Sequence, residues 1–125
     1  MFELLKNAID VTDGTPVTVP NTDTAIKSYN VPNNKFEQLF VAFEVLITAA
    51  AGSTAQNLLI KIKSGTTVKK TFTFKVIAAA NTFNIPFWTM FPNTPTSAIS
   101  ITISAAAADA NTSVALMGFY VAGMD

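Results

Sequence analysis

The sequence predicts an all-β fold, an antiparallel β-sandwich of about eight strands, and three observations carry that expectation. From Thr15 onward, apolar and polar residues alternate with period two through one short run after another. Those runs are rich in β-branched and aromatic residues, and the prolines fall near their ends or between them, where a missing backbone N–H does least harm to a ladder. At 125 residues the chain is long enough for a single core but not for two.

The first segment, MFELLKNAI, is ambiguous: Phe2, Leu5 and Ile9 share one helical face, whereas Phe2, Leu4 and Lys6 alternate as in a strand. Residues 1–14 are therefore set apart as an N-terminal arm or first short element, either packing on a neighbouring subunit or forming an ordinary first strand or helix. Residues 15–125 form the single sandwich domain. A weak extended stretch at PVTV comes first, followed by TAIKSYNV and then the long FEQLFVAFEVLIT. Both faces of LFVAFEVLI are apolar, around an apparent shift of phase at Phe40, which fits either a buried central strand or an oligomer seam.

NLLIKIK sets Leu58, Ile60 and Ile62 against Lys61 and Lys63, and TFTFKV sets Phe72, Phe74 and Val76 against Thr71, Thr73 and Lys75. Between them, KIKSGTTVKK reads as a hairpin. A slip of one residue would flip the second strand, so the pattern favours a three-residue loop through Ser64, Gly65 and Thr66, with Gly65 at positive φ and Lys70 left on the apolar face near an edge. NTFNIPFW, SAISITIS and SVALMGFYVAG complete the strands; in SAISITIS, Ile99, Ile101 and Ile103 oppose Ser100, Thr102 and Ser104. SAAAADANTS interrupts the last two. As a helix it would be about two turns without a distinct apolar face, and its Asp, Asn, Thr and Ser favour turns, so it reads as a connection.

Composition excludes several function classes. Charged residues make up 13% of the chain and the net charge is zero; all eight basic residues are lysine. A neutral chain without arginine is poorly suited to reading bases or neutralising phosphates, so no direct nucleic-acid binding is expected. With no cysteine and no histidine, thiol chemistry, disulfides and the commonest metal ligands and general base are missing. No run approaches the roughly 20 apolar residues of a membrane span. The N-terminus lacks the basic start and unbroken apolar run of a signal peptide, so no cleaved leader is expected.

The carboxylates are scattered, and Glu37 and Glu44 fall on opposite faces of a regular strand, unlike the facing pair of a glycosidase. DVTDG and NTD suit turn capping better than calcium ligation, and no glycine-rich phosphate loop is present. No catalytic, cofactor-binding or metal-binding residue is assigned. The densest unusual segment is NTFNIPFWTMFPNTPTS. Phe87, Trp88, Met90 and Phe91, with Phe2 and Leu5 of the arm, are the candidate interface or ligand-contact residues. They would fill a core or subunit interface, or Trp88 would stack on a sugar with Asn84 or Asn93 supplying hydrogen bonds.

An N-terminal arm, some eight proline-bounded strands and a closing strand SVALMGFYVAG together resemble the single jelly-roll domains of viral capsid and virion decoration (cement) proteins. The resemblance covers most of the chain and implies a jelly-roll sandwich. It also implies a non-enzymatic capsid or capsid-decorating subunit, synthesised in the host cytoplasm and located in the virion, which forms a homo-oligomer or packs on other capsid proteins. The alternative is a carbohydrate- or receptor-binding β-sandwich, such as a fibre head or lectin-like module. An antibody-type sandwich is disfavoured, since the cysteine pair and intervening tryptophan are absent.

Overall fold

The computed structural model describes residues 2–4 (backbone only), 15–31, 36–77, 80–94 and 98–124. Nine strands occur among them: β1 (Phe2–Leu4), β2 (Val17–Val19), β3 (Thr24–Asn30), β4 (Gln38–Ala49), β5 (Gln56–Ser64), β6 (Thr67–Val76), β7 (Asn81–Pro92), β8 (Ala98–Ala105) and β9 (Asp109–Met124). One sheet has the order β1-β9-β4-β7, with β2 also on β9; the other has the order β3-β8-β5-β6. All pairings are antiparallel.

The connectivity is nested. β5 pairs with β6, β4 with β7, β3 with β8 and β2 with β9, as if one long hairpin had been rolled up until β4 met β9 and β5 met β8. That is the jelly-roll arrangement of two packed sheets. Alternation decides which residues the layers share. Leu39, Val41, Phe43, Val45 and Ile47 of β4 face Leu58, Ile60 and Ile62 of β5 and Ile99, Ile101 and Ile103 of β8. β4 keeps one phase from Leu39 to Ala49, so no shift occurs at Phe40 and both of its faces are apolar. In β9 an irregularity opposite Glu44 and Val45 adds a residue, so Leu116 and Phe119 both reach the core despite their odd spacing.

The β5–β6 hairpin corrects the expected loop. Ser64 pairs with Thr67 across a two-residue Gly65-Thr66 turn, with Gly65 at φ 60°, and Lys63 pairs with Val68. The ladder then shifts, so that Ile62 faces Lys70, Ile60 faces Phe72 and Leu58 faces Phe74. The extra residue that keeps Phe72 and Phe74 on the core face sits in a bulge at Lys69, not in the loop. Pro86 is a second correction, since it lies inside β7 and not at a strand limit. β7 is an edge strand, where every second N–H points away from the partner and a proline removes no ladder bond.

SAAAADANTS is mostly strand: β8 runs to Ala105 and β9 begins at Asp109, leaving residues 106–108 as the connection. Its alanines sit at the end of the sandwich that also holds the β4–β5 loop, and the two loops are stitched together. Gln56 and Ala107 exchange two hydrogen bonds, the Ala50 N–H donates to the Asn111 carbonyl, and the Asn111 amide donates to the Gly52 carbonyl. Small side chains permit that approach.

Candidate interaction face

The two outer faces of the sandwich differ in chemistry. On the β3-β8-β5-β6 sheet, β5 and β6 turn Lys61, Lys63, Thr71, Thr73 and Lys75 outward, and Asp23 bridges Lys61 at 3.2 Å and Lys63 at 3.8 Å. Burial alone would raise the Asp23 carboxyl, but hydrogen bonds from Lys61 and Ser104 and the two lysine charges hold it below the ordinary aspartate range. On the other sheet, β4, β7 and β9 turn outward Phe40, Ala42, Leu46, Pro86, Trp88, Met90 and Tyr120, with Glu44 as the single charged residue among them.

Register builds the centre of this apolar face. Trp88 of β7 and Tyr120 of β9 both lie directly opposite Ala42 of β4, one on each side. Strands are spaced by about 4.8 Å, so the two ring-bearing strands stand about 10 Å apart over a floor that carries only a methyl group. Phe40 closes one end, its ring centroid 5.8 Å from Trp88 and 5.9 Å from Tyr120. Glu44 occupies the other end between Pro86 and Gly118, its cross-strand partners, and Gly118 adds no side chain. The result is a shallow concavity of about 270 Å³, lined by Phe40, Ala42, Glu44, Trp88, Gly118 and Tyr120 among others. Trp88 is 63% exposed and Met90 41%.

The structure thus divides the residues singled out in the sequence. Trp88 and Met90 lie on the outer face. Phe87 and Phe91 point inward: Phe91 is buried, and Phe87 packs against Phe43 at 5.4 Å and Phe72 at 4.7 Å, tying the two sheets together. Phe2 belongs to β1, whose backbone pairs with the end of β9, and Leu5 lies outside the described residues. Asn93 donates its amide to the Phe36 carbonyl at 3.0 Å and Asn84 does not line the concavity, so neither stands beside Trp88 as a ligand for a sugar hydroxyl. Phe40 and Tyr120 were missed in the sequence. The signal was present in the apolar second face of LFVAFEVLI, but only the register shows that Phe40, Trp88 and Tyr120 converge.

Three strand edges, β3, β6 and β7, are guarded while this face is not. Lys27 on β3 lies opposite Ile101 and Lys70 on β6 opposite Ile62, so both edges of the charged sheet carry an inward-pointing lysine, each with its ammonium 5.8 Å from an aromatic ring, Phe119 and Phe72 respectively. Inward charges of this kind discourage strand-to-strand association. Pro86 does the same on β7. Among the described residues no three acidic side chains converge as a metal site, and no helix is long and apolar enough to cross a membrane.

No protein-family model matches the chain, and no curated protein matches it. Solved structures do. A chain of the infectious bursal disease virus T13 particle aligns over 98% of this chain and 31% of its own length, with a TM-score of 0.63 at 15% identity. VP2 of the same virus, in T=1 particles, aligns over 98% of this chain and 32% of its own, with a TM-score of 0.59 at 16% identity. Latent PorU from Porphyromonas gingivalis aligns over 89% of this chain and 10% of its own, with a TM-score of 0.56 at 11% identity. The chain thus spans about a third of the viral chains it resembles, and at these identities the shared property is the fold: a β-sandwich of the kind found in a viral capsid.

Proposed function

We propose that the protein is a non-enzymatic virion structural subunit that self-associates or packs on neighbouring capsid proteins through the outer face of the β1-β9-β4-β7 sheet. The observation that carries the reading is the contrast between guarded edges and a nearly uncharged aromatic face. Tryptophan and tyrosine dominate the energetics of protein interfaces, whereas scattered surface apolars do not form a patch with a register of its own. The likeness to chains of viral particles supports the same reading.

The test is the solution mass by light scattering after size-exclusion chromatography, over a wide range of concentration, with Trp88 emission recorded alongside. A defined oligomer or concentration-dependent growth is expected, accompanied by a blue shift as Trp88, the chain's sole tryptophan, leaves water. A strict monomer at every concentration, with Trp88 open to a soluble quencher throughout, overturns self-association.

A further inference from the structure

The geometry points to the concavity between Trp88 and Tyr120 as a lysine-binding site, filled by Lys75 of a second copy of this chain. The inference rests on the self-association proposed above and names the contact.

The chemistry of the site selects a cation. Phe40, Trp88 and Tyr120 converge on the concavity, the Phe40 ring centroid lying 5.8 Å from that of Trp88 and 5.9 Å from that of Tyr120, so a cation seated among them falls within the roughly 6 Å over which a ring face holds it. Glu44, the single charged residue of the lining, closes the end of the concavity. Among the described residues no cation pairs with it. A sugar ring would bring several hydroxyls needing partners, and the side chains of the lining offer few: the Glu44 carboxylate, the Tyr120 hydroxyl and the Trp88 indole N–H. An ammonium needs only π-faces, a carboxylate and water.

Among the six lysines of the described residues, elimination selects one. Lys61 and Lys63 are held by Asp23; Lys27, Lys69 and Lys70 lie over the rings of Phe119, Phe91 and Phe72. Lys75 is exposed near the end of β6, opposite Asn57 on the outer face of the charged sheet, and pairs with no acid among the described residues. Glu44 and Lys75 stand on opposite outer faces of one sandwich, so they cannot meet within a copy. Between copies the contact is head-to-tail, and repetition of such a contact builds a ring or an open array.

Four proteins test this by light scattering and Trp88 emission: the wild type, Glu44→Lys, Lys75→Glu, and the double variant carrying both. Both positions are at the surface, and thermal melts establish that each variant is folded. Each single reversal is expected to weaken association by about tenfold or more and to leave Trp88 emission red-shifted; the double variant restores the charge pair but sets a carboxylate where the rings favour a cation, so it is expected to associate more tightly than either single variant and less tightly than the wild type. If the wild type associates and the single variants associate equally well, this contact is wrong while the self-association reading stands. Single variants that weaken without rescue in the double also overturn the pairing. A wild-type monomer at every concentration overturns contact and reading together.

Discussion

At the scale of the residue, Asp109 shows how a buried charge is used to fix loops. It is 5% exposed and accepts hydrogen bonds from the Thr54 N–H (2.8 Å), the Asn111 N–H (2.9 Å) and the Thr112 hydroxyl (2.8 Å). Burial would raise its pKa, but the three donors outweigh that cost and hold the carboxyl below the ordinary aspartate range. A depressed folded-state pKa means that the stabilisation is complete above the unfolded value near 3.9 and is lost as pH falls through the folded value. Asp109→Asn is expected to cost on the order of 2–3 kcal/mol at pH 7, because a carboxamide turns donors toward N–H groups already facing it. The same variant is expected to show a flatter loss of stability below about pH 4. Urea melts at pH 7 and pH 3 measure both, and equal stability of the two proteins at pH 7 would refute the assignment. In the sequence this aspartate was legible as a turn-former within SAAAADANTS, but not its partner, since Thr54 lies on a loop that only the rolled topology brings near.

At the scale of the element, β8 is a central strand with polar residues on a face that is less wet than its alternation suggests. Ile99, Ile101 and Ile103 reach the core as their spacing foretells, yet Thr102 is also buried, between Ala25 of β3 and Lys61 of β5, and its hydroxyl has no hydrogen-bond partner. A buried hydroxyl left unpaired costs free energy that a methyl group does not. Thr102→Val is therefore expected to be neutral or to stabilise by up to about 1 kcal/mol, read from the urea midpoint; a loss of more than about 1 kcal/mol would mean that the hydroxyl is satisfied. The alternation rule made β4, β5 and β8 legible because one face of each is dry throughout. It failed where the chain inserts a residue. The bulge at Lys69 adds one position without a glycine or proline to announce it, and the one near Met117 lies beside Gly118 in an otherwise regular apolar run, so alternation alone does not say which residues of β6 and β9 share a face.

At the scale of the whole molecule, the nested topology sets the order in which contacts can form. β5 and β6 are joined by a two-residue turn; β4 and β7 enclose that hairpin, β3 and β8 enclose those, and β2 meets β9 from nearly the opposite end of the chain. Loop-closure entropy is lowest for the hairpin and falls for each outer pair once the inner one has formed. Folding is thus expected to begin at β5–β6 and proceed outward, with β2 docking late. Chevron analysis of two core truncations tests it: Ile60→Val in β5, expected to cost about 0.5–1.5 kcal/mol, and Val19→Ala in β2, expected to cost somewhat more than about 1 kcal/mol, both at buried positions. Ile60→Val should chiefly slow refolding, and Val19→Ala should chiefly accelerate unfolding. The reverse partition would place the nucleus at the β2–β9 margin. The outcome also bears on assembly, because β4, which carries Phe40, Ala42 and Glu44, is enclosed only after β7 and β9 have paired with it. The apolar outer face is therefore completed among the last steps, when β9 brings Tyr120 opposite Ala42, and a chain still folding does not yet present the complete contact to its neighbours.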